Sequence, residues 1–208
     1  MVREAGGQEA TIQTRDGFRT AVEAASSSYL EVADWDAVIA HLADGAGAGD
    51  GPAGAPVALA PSLAAAQPDL VNRFSAAGLT VVVPDGDDPA AQVADVPVAV
   101  VRGELAVAET GSVLVAEHAL GDRVVTMLCH RLVQVVDADT IVARLEGAAD
   151  WLAERGGKPG FASLMTGPSR TADIERSLTI GVQGPDEVEV VVLTATSNTA
   201  GSGGVDDG

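Results

Sequence analysis

The chain has 208 residues and a formal net charge of −18, with 47% hydrophobic and 20% charged residues. That apolar content is enough for one buried core, so wholesale disorder is excluded, and the length favours a single domain. The anionic balance excludes nucleic acid as the default partner and a polybasic membrane anchor, because both need a basic footprint.

Residues 1–15 carry no sustained apolar period and are expected to form a flexible lead. A helix is predicted over Asp16 to Ser27, then a short strand over Tyr29 to Val32. A second helix follows from Asp34 to Ala43, with Asp34 as N-cap and Val38, Ile39 and Leu42 on one face. Gly45 to Gly54 resembles a phosphate loop only superficially; the last glycine of the G-x-G-x-x-G pattern is missing, so it reads as a connector. Pro56 to Ala60 reads as a buried strand, Pro68 to Ala77 as a helix ended by Gly78, and Leu79 to Val83 as a strand stopped by Pro84. Pro97 to Val101 is another apolar run, and Leu105 to Ala108 and Val113 to Ala116 flank a turn at Glu109 to Ser112. Leu132 to Val136 is a strand candidate, and Asp139 is expected to cap a long helix from Thr140 to Glu154. Phe161 to Met165 reads as a strand, Thr171 to Leu178 as a helix and Val188 to Leu193 as a last strand. Strands alternating with helices predict an α/β fold, one domain over residues 16–193 with a mostly parallel central sheet flanked by helices. Residues 194–208 form an acidic Gly/Ser-rich tail, expected to be disordered.

Chemistry is suggested by two polar turns. Gly167-Pro168-Ser169-Arg170-Thr171 follows a predicted strand and opens a predicted helix, a position that would lie at the carboxyl edge of a parallel sheet. Its hydroxyls, the Arg170 guanidinium and free N–H groups suit a carboxylate or phosphate; equally, Thr171 suits a plain helix cap. Glu109-Thr110-Gly111-Ser112 offers a carboxylate, two hydroxyls and a glycine that permits close backbone approach. Glu109 would be the catalytic base or nucleophile, and the competing reading is a hairpin turn with Gly111 at positive φ. The two turns are expected to meet in one pocket, with Glu109 facing Arg170.

Elsewhere the sequence is less informative. Cys129 is the only cysteine, so this chain has neither an internal disulfide nor a cysteine-ligated cluster of its own. Cys129, His41, Trp35 and Trp151 read as packing residues, and His41, His118 and His130 show no metal-ligand spacing. The longest uncharged stretch, Gly51 to Pro68, is broken by four prolines and does not read as a membrane span. With no basic-then-apolar leader at Met1, a cytoplasmic location is expected. A strongly acidic chain whose only lysine is Lys158 suits concentrated salt, and a halophilic source is expected.

Together, Ala108 to Ser112, the stretch ending at His130, Gly167 to Glu175 and Gly181-Val182-Gln183-Gly184-Pro185 resemble the lactate-utilisation (LUD) domain family over about residues 55–193, and its short members without an iron–sulfur extension in particular. At Leu128-Cys129-His130-Arg131 the chain departs from the family's Pro-Pro-Val-His stretch. The resemblance implies the fold shared by ribose-5-phosphate isomerase, glucosamine-6-phosphate deaminase and the coenzyme A transferases. It also implies a subunit of a lactate-to-pyruvate system whose iron–sulfur partners carry the electrons, this chain holding no cofactor and binding a small carboxylate or phosphate. A stand-alone enzyme acting on a phosphorylated or thioester metabolite, through Glu109 and Arg170, is the alternative.

Overall fold

The computed structural model describes residues 2–45, 55–155, 160–172, 178–180 and 184–195. Helix α1 (Val2–Ala24) leads into strand β1 (Ser28–Val32), helix α2 (Trp35–Ala43) and strand β2 (Val57–Leu59). Helices α3 (Pro61–Ala66) and α4 (Asp69–Ala76), strand β3 (Val81–Val82), helix α5 (Pro89–Val93) and strand β4 (Val98–Arg102) follow. Strands β5 (Leu105–Val107) and β6 (Ser112–Glu117) precede helix α6 (Leu120–Leu128) and strand β7 (Arg131–Asp137). The chain continues through strand β8 (Ile141–Val142), helix α7 (Glu146–Glu154) and strands β9 (Phe161–Met165), β10 (Arg170–Ala172), β11 (Leu178–Ile180) and β12 (Glu187–Leu193).

Six strands, in the order β1-β12-β7-β4-β2-β3, form a parallel sheet. Its middle strands are buried along nearly their whole length, which is why they read in sequence as Val- and Leu-rich runs, interrupted only by Gln134 and Glu189, rather than as alternation. One cluster joins these strands to Phe18 and Val22 of α1, the apolar face of α2, and Leu70 and Phe74 of α4. Burial of side chains this size is worth about 1.5–3 kcal/mol each. Asp34 caps α2 as expected, accepting the Ala37 N–H at 3.1 Å. Gly78 follows α4 at φ +86°, a conformation that a side chain would strain. The expected α/β architecture, a mostly parallel sheet flanked by helices, is the architecture found.

A second sheet, in the order β8-β5-β6-β9, is mostly antiparallel, and around it three expectations of secondary structure are corrected. Residues 161–165 do form a strand, but β9 pairs antiparallel with β6 and stands outside the parallel sheet. The long helix over Thr140 to Glu154 does not form: Ile141 and Val142 pair with Ala106 and Val107 of β5, and α7 begins at Glu146. Those two residues are β-branched and suit a strand, and the β5 edge supplies a partner that helical spacing could not reveal. The helix over Thr171 to Leu178 is replaced at both ends by a β10-β11 ladder, with Thr171 opposite Thr179; residues 173–177 lie outside those described. Helix α1 takes in residues 2–15, the stretch expected as a flexible lead. Most of the Gly45 to Gly54 connector and of the tail lies outside the described residues, although Thr194 N–H still reaches Val32 O at 2.9 Å.

Candidate functional site

The two polar turns are neighbours. The Thr110 and Ser112 hydroxyls lie 2.6 Å apart, and Ser112 Oγ lies 2.5 Å from Thr166 Oγ1, next to Gly167. The hairpin reading of the first turn is the geometry found: β5 and β6 are antiparallel, Gly111 N–H donates to Val107 O at 2.9 Å, and Gly111 sits at φ +68°. Close backbone approach is also found, but to helix α1. A Cβ on Gly111 would lie 2.6 Å from the Ala21 carbonyl carbon and the Val22 nitrogen, and one on Gly167 would lie 2.3 Å from Ala25 O. Both glycines therefore seat the end of α1 against the second sheet.

Glu109 is exposed, and its Oε2 accepts the Leu145 N–H at 3.3 Å, on the side of the turn facing the start of α7. Arg170 and Thr171 lie in β10, paired through the backbone with Ile180 and Thr179; their side chains are outside the described set. The expected facing of Glu109 and Arg170 therefore falls on a side chain outside those described.

A cavity of about 380 Å³ lies on the other side of the Gly167 turn. Gly167 and Ser169 line it, whereas Glu109, Thr110, Gly111 and Ser112 do not. Ser169 N–H donates to Pro185 O at 2.9 Å, so the Gly167 turn and the Gly184-Pro185 turn close one wall together. Leu132 and Val188, near the starts of β7 and β12, also line it, which puts the cavity at the amino ends of the parallel strands. The carboxyl-edge expectation is corrected for this turn, because the strand before it belongs to the antiparallel sheet.

The polar groups of the cavity come from β6, β9 and α6, with Thr166 and Ser169 added by the loop after β9. Glu117 is directly opposite Phe161 in the β6-β9 register, and Val115 is opposite Ser163, so Glu117 and Ser163 share the face turned toward the main core. Glu117 is 3% exposed; its Oε1 accepts the Thr126 hydroxyl at 2.5 Å and its Oε2 the Ser163 hydroxyl at 2.6 Å. Arg123, Thr126 and Met127 lie on one side of α6 at i, i+3 and i+4. The Arg123 guanidinium sits 5.2 Å from the Phe161 ring centre. Among the described residues no carboxylate pairs with it. Helix α6 is fixed in place by Asp122, which is buried and accepts the Ala119 and Ser62 N–H groups, both at 2.9 Å.

Sequence reasoning missed Glu117, Arg123, Thr126 and Ser163. One signal was present: in Val113, Val115 and Glu117 a carboxylate falls in phase with residues on the core-facing side of a strand. Outside the cavity, several polar residues form hydrogen bonds or ion pairs of their own. Glu189 is buried between Arg131 and His41, whose Nε2 lies 3.0 Å away, so His41 hydrogen-bonds a buried carboxylate as well as packing. His130 pairs with Asp186 at the surface. Arg102 pairs with Asp137, whose carboxyl is pushed up by burial despite that cation. Burial also pushes the Cys129 thiol up to about 12, away from thiolate chemistry at neutral pH. Among the described residues no group of His, Cys, Asp and Glu is placed to hold a metal ion, and no helix is long and apolar enough to cross a membrane.

Against known proteins, the LUD domain family model matches residues 56–193. The chain is 33% identical over 91 residues to a protein named lactate utilization protein C from Anoxybacillus flavithermus, a match covering 44% of this chain and 41% of that one. It is also 33% identical over 106 residues to the protein of the same name from Shouchella clausii, covering 50% of this chain and 45% of that one. Each match therefore spans less than half of the relative's own length. Among solved structures, a DUF162 family protein from Deinococcus radiodurans is similar in fold, with a TM-score of 0.58 at 20% identity over 88% of this chain and 98% of that chain.

Proposed function

The chain belongs to the LUD domain family, and from that premise we propose that it is a cytoplasmic subunit of an L-lactate utilisation system that binds a small organic anion in the cavity between α6 and β9. The observation that carries the reading is the similarity to two proteins named lactate utilization protein C. The cavity adds the chemistry. Arg123 lines it with donors that no described carboxylate occupies, and a charge-assisted hydrogen bond to a guanidinium is worth about 1.5–3 kcal/mol. In a chain of net charge −18 this local cation is what recruits an anion against the overall field.

Oxidising lactate to pyruvate releases two electrons and two protons. With Cys129 as its one cysteine, buried and with a raised pKa, this chain supplies no thiolate set for a cluster, and the electrons pass to iron–sulfur partner proteins. The chain's own part is to bind and orient an anion while Glu117 accepts hydrogen bonds at the cavity wall. Deleting the gene should abolish growth on L-lactate as sole carbon source while growth on pyruvate continues, and the tagged chain should copurify with cysteine-rich iron–sulfur proteins. Unimpaired growth on lactate without the gene refutes the proposal.

A further inference from the structure

We infer that the ligand of this cavity is an amphipathic organic carboxylate larger than lactate, with its anionic end at Arg123, a hydrogen-bond donor at Glu117 and an apolar body against Met127 and Phe161. The inference rests on the reading of the cavity as an anion site and adds the ligand's class.

The argument begins with size. About 380 Å³ is the room of roughly a dozen liquid waters and falls within the usual range for sites that enclose whole metabolites. Lactate, a three-carbon acid, leaves most of that space wet. The lining then says what fills the rest. Leu132, Met165 and Val188 form apolar wall, and Met127 and Phe161 stand at the cavity while 56% and 57% exposed. Large apolar side chains left to water around a cavity mark a surface that an apolar group covers when the site is filled. Met127 is the adaptable member of the pair, since an unbranched thioether repacks around ligands of different shape.

The polar groups set the chemistry of the ligand's head. Arg123 is held over the Phe161 face rather than against a described carboxylate, so its planar fork remains open to a carboxylate. Glu117 receives one hydroxyl on each oxygen, and a carboxylate accepts about four hydrogen bonds in all. Open acceptor positions on a group that lines the cavity call for a donor on the ligand, such as a hydroxyl. A ligand with the carboxylate alone would leave the remaining acceptor positions of Glu117 without a donor.

The test is calorimetric titration of the full chain, at fixed salt, with L-lactate, octanoate and 2-hydroxyoctanoate, repeated on Arg123→Gln after its fold is checked by circular dichroism. The expected result is that 2-hydroxyoctanoate binds at least tenfold tighter than lactate and several-fold tighter than octanoate, and that Arg123→Gln weakens it at least tenfold. Equal affinity for lactate and 2-hydroxyoctanoate, lost in Arg123→Gln, overturns this inference and leaves the small-anion reading standing. Binding of 2-hydroxyoctanoate that is indifferent to Arg123→Gln also overturns it. No binding of any probe overturns both.

Discussion

Replacing Gly111 by Ala should destabilise the fold by about 2–5 kcal/mol, although the residue lies outside the cavity. Two contributions add. The residue sits at φ +68°, where an L side chain costs about 1–2 kcal/mol. The new Cβ would also lie 2.6 Å from the Ala21 carbonyl carbon and 2.8 Å from Ala21 O, against the ordinary carbon contact of about 3.5–4.0 Å. Those atoms are helix backbone and cannot rotate aside, so the end of α1 has to move by about 1 Å, at the typical overpacking cost of about 1–3 kcal/mol. Gly78→Ala is the control, because Gly78 has φ +86° and nothing within 4 Å of a built Cβ. It should cost only the conformational part. Urea unfolding at one salt concentration reads the difference, a midpoint gap of roughly 0.5–1.5 M at an m-value of about 2 kcal/mol/M. Equal midpoints for the two variants would refute the claim that Gly111 exists to seat α1, and would return it to ligand binding.

Ser112→Ala should lower stability by about 1–3 kcal/mol, because the buried hydroxyl links Thr110 to Thr166 and both would lose a partner; an unchanged melting temperature would show that the chain of hydroxyls contributes nothing. Burial raises the Cys129 thiol from 9.0 to about 12, so between those pH values the unfolded chain loses a proton that the native chain retains, and stability falls as pH rises. By pH 10 the loss is on the order of 1 kcal/mol, and Cys129→Ala should remove that slope from the denaturation profile between pH 8 and 10. A melting temperature that rises with salt is expected from the −18 charge, since the screening length shrinks from about 10 Å at 0.1 M to about 3 Å at 1 M. A flat or falling series would count against a halophilic source.

The middle strands of the parallel sheet were legible in the residues because burial on both faces leaves predominantly apolar runs, broken only by the buried Gln134 and Glu189, and Asp34 marked the start of α2 because a cap is a property of one residue and the N–H groups just after it. The need for glycine at Gly111 was legible in the same way, as a turn between two apolar runs. That helix α1 is what approaches it was not legible, since the partner lies about ninety residues earlier. Ile141 and Val142 carried apolar positions compatible with either a helix or a strand, and only the open edge of β5 decided between them. Likewise a carboxylate at Glu117 shows in the sequence, but its role depends on the β9 register that sets Ser163 near it and on α6 bringing Arg123 and Thr126 alongside. Sequence by itself determined the apolar strands of the parallel sheet and several of the turns and caps, because those preferences act between near neighbours in the chain. The cavity belongs to tertiary structure alone, because it is the space left where a helix, two loops and two sheets fail to close, and its volume and lining depend on how those distant elements pack.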